Sequence, residues 1–81
     1  MRDPDLEARV RSAAADALNL PPGSLTDAVR LEEDLGIDEN RAAWFLGVIQ
    51  DDLDVRFPDD FLDGIETLGQ FLRAVRLSLG A

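Results

Sequence analysis

Three stretches of this chain set apolar side chains at helical spacing, and the polar residues between them separate the elements. In the first, Leu6, Val10, Ala13 and Ala17 recur at steps of three and four, the period of a helix face rather than of a strand. Asp3 can cap that helix, Pro4 suits its first position, and Asp5 and Glu7 load the first turn with the charge the helix dipole favours. Leu20-Pro21-Pro22-Gly23 predicts its end, because consecutive prolines cannot continue the hydrogen-bond ladder.

The second stripe, Ala42, Phe45, Leu46, Ile49 and Leu53, predicts a helix from Asp38 to about Asp54. Asn40, Trp44, Gly47, Val48 and Asp51 then point away from the core, with the single Trp centred opposite the apolar stripe. A third stripe of Leu68, Phe71, Leu72, Val75 and Leu79 follows Thr67-Leu68-Gly69-Gln70, a capping box with Thr67 as N-cap. Arg73 and Arg76 lie toward the negative end of that helix and Gly80 stops it. Between the second and third stripes, Phe57 to Gly64 predicts a short helix closed by Gly64.

Residues 21–37 form a connection longer than the ~12–15 residues that unpinned loops tolerate. Leu25, Val29, Leu31, Leu35 and Ile37 supply the pins. The segment is therefore expected to cross the bundle as an ordered strap, with a short turn of helix near Thr26 to Val29. No stretch alternates as a strand does. The pattern predicts an all-α four-helix antiparallel bundle, three long helices and one short, in one domain over residues 1–81 with a long first loop.

Composition narrows the chemistry. The 81 residues are 46% hydrophobic and 31% charged, an ordinary globular balance. Seventeen Asp and Glu oppose eight basic residues for a formal net charge of −9, which disfavours nucleic acid and anionic membranes and favours a protein partner. All eight basic residues are Arg, which we attribute to genome composition. Cysteine, histidine, tyrosine and lysine are absent, which leaves only carboxylates, Ser12, Ser24, Ser78, Thr26 and Thr67 for chemistry, so no enzyme activity is expected. The Asp51-Asp52 and Asp59-Asp60 pairs read as solvated surface charge. A calcium loop at Asp52-Leu53-Asp54-Val55-Arg56-Phe57 fails, with Arg at a ligand position and Phe where the turn needs Gly. No apolar run approaches the ~20 residues of a membrane span, and Met1-Arg2-Asp3-Pro4 lacks the core of a secretory signal. The cytoplasm is the expected location.

At Leu31-Glu32-Glu33-Asp34-Leu35-Gly36-Ile37-Asp38 the chain resembles the acyl carrier protein family, whose signature there is Asp-Leu-Gly, one apolar or small residue, then Asp-Ser-Leu opening the second helix. Phe57-Pro58-Asp59-Asp60 resembles the family's Ile-Pro-Asp/Glu-Glu, and Ile65-Glu66-Thr67-Leu68 its Ile-Thr-Thr-Val. Length, acidity and the long first loop match as well. The resemblance implies a carrier fold whose serine receives a 4′-phosphopantetheine arm, through which acyl, polyketide or aminoacyl groups pass between enzymes.

The position matching that serine is Glu39, preceded by Asp38. A carboxylate cannot form the serine phosphodiester, so no cofactor is expected on the chain as written. Gly23-Ser24-Leu25 copies the attachment triplet superficially, but it follows two prolines within the strap, and Ser24 reads as a polar turn residue. The neighbours depart too. The family's Leu after the serine is Asn40, acids of its outer face become Arg41 and Trp44, and an apolar contact residue becomes Gly47.

Asn40, Arg41, Trp44, Gly47, Val48 and Asp51 are thus the expected partner-binding positions. Trp and Arg are over-represented at interface hot spots, and the corresponding face is where partner enzymes dock in carriers. The leading reading is a carrier-like interaction or regulatory module beside fatty-acid, polyketide or peptide assembly enzymes. Two others stay open: a true carrier whose serine is replaced in this chain, and a helical subunit or dimerisation module unrelated to acyl transfer. The resemblance further implies an apolar core cavity that would admit a non-covalent acyl ligand.

Overall fold

The computed structural model describes residues 6–79. The Asp3 cap, the Pro4 and Asp5 positions and the Gly80 stop lie outside them. Three α-helices form among the described residues: α1 over Leu6–Leu18, α2 over Glu39–Leu53 and α3 over Leu68–Ser78, with a 3-10 turn at Pro22–Ser24. Arg9 near the start of α1 donates to the carbonyl of Asp52 at the end of α2 at 3.0 Å, and Glu7 pairs with Arg76 in the last turn of α3. α1 therefore runs antiparallel to both α2 and α3, while these two run in the same direction. The bundle is thus antiparallel between α1 and its two neighbours. A parallel pair needs a return crossing, and residues 54–67 provide it.

The end of α1 is set before the prolines. Asn19 adopts the left-handed conformation (φ 57°), its N–H meets the Asp16 carbonyl at 3.3 Å, and the Leu20 N–H meets the Ala15 carbonyl at 2.9 Å. These are the two bonds of a Schellman stop, with Asn in place of the usual glycine. Pro21 and Pro22 follow a helix that has already closed. The buried face of α1 is also broader than its stripe: Ala14 and Ala15 are buried beside Leu6, Val10 and Ala13, while Ala17 is only half-buried. α1 touches α2, α3 and the 3-10 turn, and alanines let three neighbours approach one helix.

The strap is ordered as expected, with Leu25, Leu31 and Ile37 buried and Val29 and Leu35 packed against the core. Its helical turn, however, is Pro22–Ser24, and Thr26 to Val29 makes a single turn with a 3.3 Å bond. The carbonyls of Asp27 and Val29 explain the difference. They accept the N–H groups of Gly69 and Leu68 at 3.0 and 2.9 Å, so they cannot serve a helix of their own. The N–H of Leu31 meets the Glu66 carbonyl at 2.9 Å, completing an isolated bridge of Arg30 to Thr67.

The short helix expected over Phe57 to Gly64 is instead a run of turns. Phe61, Asp63 and Ile65 donate to Pro58, Asp60 and Leu62 at 3.0 Å each. A segment this short gains too few bonds to nucleate an α-helix. Gly64 does close the segment, at φ 79°. Phe57 and Phe61 stack at 4.3 Å between ring centroids, and Phe61 meets Phe71 edge-on at 6.0 Å. The architecture remains all-α, with three helices and a tethered turn segment.

The core joins Phe45, Leu46 and Ile49 of α2 to Leu68, Phe71, Leu72 and Val75 of α3 and to the α1 face. Ala42 and Leu53, at the ends of the α2 stripe, are half-buried. Leu79 departs from its stripe and stays 39% exposed. It lies beyond Arg76, whose partner Glu7 belongs to the first described turn of α1. The α3 capping box is present: Gln70 N–H meets Thr67 Oγ1 at 3.2 Å and Gln70 Oε1 accepts from Thr67 N–H at 3.2 Å. Among the described residues no helix is long and apolar enough to cross a membrane.

Candidate functional site

The head of α2 is built by one carboxylate. Asp38 has extended backbone and its Oδ1 accepts the Arg41 N–H at 3.0 Å, which satisfies an orphan donor of the first turn. Gly36, at φ 71°, turns the strap into that cap. Glu39 is the first residue of α2 and is exposed.

Beside this helix end lies an open cleft of about 270 Å³. Leu31, Ile37 and Ala42 form its floor with Leu62 and Ile65 from the turn segment, and Glu39, Asp63 and Glu66 stand among its rim residues. Arg30 also lines it, with Nη1 3.0 Å from both carboxylate oxygens of Glu33. The apolar space nearest the site is thus a cleft reached from the surface, next to the packed core. Leu62, Ile65, Asp63 and Glu66 were invisible as site residues in sequence, because they reach α2 only through the crossing that follows it.

The outer face of α2 is a second surface. Asn40, Arg41, Trp44 and Asp51 are exposed, Gly47 and Val48 half-buried. Trp44 leaves 41% of its surface open, and the Arg41 guanidinium carbon stands 4.8 Å from the ring centroid, a cation–π contact. Apart from the helix's own nearby backbone and the adjoining residues, no atom lies within 4 Å of where a Gly47 Cβ would stand, so a notch in the side-chain surface opens one turn from the ring. The structure brings the six positions onto one face and leaves Glu39 off it, since Glu39 follows Ala42 toward the cleft. The cap and the Trp patch adjoin along one helix but look in different directions.

Hydroxyl groups are placed elsewhere. Ser24 donates to the Pro21 carbonyl at 2.7 Å in the 3-10 turn. Ser12 and Ser78 are exposed on α1 and α3, Thr26 is exposed on the strap, and Thr67 caps α3. Among the described residues no group of acidic side chains is arranged to hold a metal ion. Asp54, in the failed calcium-loop run, is the left-handed C-cap of α2.

The model of the phosphopantetheine attachment-site family matches residues 8–75. An acyl carrier protein of Saccharopolyspora erythraea is 30% identical over 64 residues, spanning 79% of this chain and 67% of that protein. An acyl carrier protein of Phenylobacterium zucineum is 27% identical over 77 residues, spanning 95% of this chain and 98% of its own.

Proposed function

The chain belongs to the phosphopantetheine-attachment family of acyl carrier proteins, and from that premise we propose a carrier-like domain over residues 1–81 that does not take up the arm. It acts by being bound, as a non-catalytic interaction or regulatory module for enzymes that otherwise serve carriers. One observation carries the proposal: the head of α2 presents Asp38 and Glu39 and no hydroxyl.

A phosphopantetheine arm needs an alcohol to receive the phosphate. Asp38 is committed to capping, and Glu39 cannot form that phosphodiester. The residues at this position therefore do not fit the group. Ser24 is a poor substitute, because it lies in a 3-10 turn with its hydroxyl bonded to Pro21. Glu39 has a local role without any partner, since negative charge in the first turn favours the helix by about 0.3–1 kcal/mol. Mimicry of a carrier's phosphate would be poor, as a carboxylate is smaller and planar where the phosphodiester is tetrahedral.

Partner binding is assigned to Asn40, Arg41, Trp44, Gly47, Val48 and Asp51. An exposed Trp with a stacked Arg offers area and directed charge at low conformational cost, the composition of binding hot spots. The test is intact mass after incubation with coenzyme A and a broad-specificity phosphopantetheinyl transferase. No mass gain is expected. A gain of one arm on the chain as it stands would refute the proposal.

The match across residues 8–75 supports a second reading, a true carrier in which one serine has been replaced. The Glu39→Ser chain separates the two. Modification restored by that single change, followed by acyl loading, favours the replaced carrier. Failure of the serine variant to accept the arm indicates that the recognition surface has diverged with the site.

A further inference from the structure

The outer face of α2 is complementary to itself, and we infer that, when no enzyme covers it, it takes a second copy of this chain, laid antiparallel. The inference rests on the reading of this face as a docking surface and goes beyond it. Along the face, the cation Arg41 stands near the N-terminal end and the exposed carboxylate of Asp51 near the C-terminal end. Arg41 and Asp51 are ten residues apart, roughly 15 Å along the axis. Arg41 makes no ion pair among the described residues; its guanidinium stacks on Trp44 and keeps its N–H groups free. Between these charges lie a knob, Trp44, and the notch at Gly47.

A two-fold axis at the level of Leu46, whose own side chain is buried, places each Arg41 against Asp51 of the other copy. The same operation lays each Trp44 across Gly47 and Val48 opposite. A parallel pairing brings Arg41 to Arg41 and Asp51 to Asp51, so charge selects the antiparallel one. Residues contacting each other reciprocally across a two-fold are what an isologous interface requires.

One helix face covers less than the ~800 Å² per partner of a standard interface, and each copy carries a formal charge of −9. The dimer is therefore weak and reversible, with charge repulsion screened over about 8 Å at physiological salt.

Sedimentation equilibrium of the full chain at that salt, from about 10 μM to 1 mM, is the test. A monomer–dimer equilibrium is expected within this range. Trp44→Ala, Arg41→Asp and Asp51→Arg each weaken it at least about tenfold, and Arg41→Asp with Asp51→Arg together recover most of the loss. Gly47→Glu folds and fills the notch, and it abolishes association. A chain monomeric at the top concentration overturns the inference, as does a dimer indifferent to these changes or a double variant no tighter than the singles. A monomer leaves the docking-face reading standing, to be judged by partner capture with Trp44→Ala.

Discussion

Trp44 and Phe45 are adjacent in sequence, and replacing each by alanine measures how completely α2 separates its two faces. Phe45 is fully buried, with its ring 5.4 Å from that of Phe71. Truncating a buried Phe loses the transfer energy of the ring and leaves a cavity, about 3–5 kcal/mol together. Trp44 is different. A fully buried Trp removes about 200 Å² from water, worth roughly 5 kcal/mol at 25 cal/mol per Å². Its 41% exposure and a compact unfolded state lower this to about 2 kcal/mol, and alanine returns roughly 0.5 kcal/mol of helix propensity. The expected loss is about 1–2 kcal/mol for Trp44→Ala. In an 81-residue chain each kcal/mol moves Tm by about 4–8 °C, so Phe45→Ala should fall by at least about 15 °C and Trp44→Ala by roughly half of that. Thermal and urea unfolding followed by far-UV circular dichroism reads both, since Trp44 is the chain's single Trp and its loss removes the fluorescence probe. Equal losses for the two variants would refute the assignment of Trp44 to the surface, and with it the docking face.

The cap of α2 gives a second prediction: Asp38→Ala loses the bond to Arg41 N–H and costs about 1 kcal/mol in urea unfolding, while Asp38→Asn keeps most of it. Gly69→Ala tests the strap. Glycine to alanine inside a helix ordinarily gains up to about 1 kcal/mol, but here the new Cβ would stand 3.0 Å from Asp27 Cβ and 3.1 Å from its carbonyl oxygen. That carbonyl is held by the Gly69 N–H at 3.0 Å and the Asp27 side chain by Arg11. The sign should reverse, with a loss of about 1 kcal/mol; a stabilised variant would mean that the strap gives way freely. Glu39→Ser should change stability by no more than about 1 kcal/mol, so its behaviour toward the transferase, read by intact mass, reports recognition and not folding.

Much of the fold was written in local patterns. The α2 stripe and its Asp38 cap, the Thr67–Gln70 capping box and the apolar pins of the strap depend on neighbours three or four residues away, and such neighbours are visible in a linear text. The Schellman stop at Asn19 carried a weaker signal, an Asn two residues before Pro21, which the louder proline pair masked. The same holds for Phe57 to Gly64. Its closing glycine suggested a short helix, but so short a segment formed only turns.

What the sequence by itself determined, then, is where the three helices are and which sides they bury. These follow from periodicity and side-chain chemistry, which act within a few residues. The parallel course of α2 and α3, the loss of strap carbonyls to the start of α3, and the cleft joining Ile37 and Ala42 to Leu62 and Ile65 were decided by tertiary structure. Each depends on how one element satisfies the polar groups and apolar surface of another far along the chain, and no local pattern encodes that pairing.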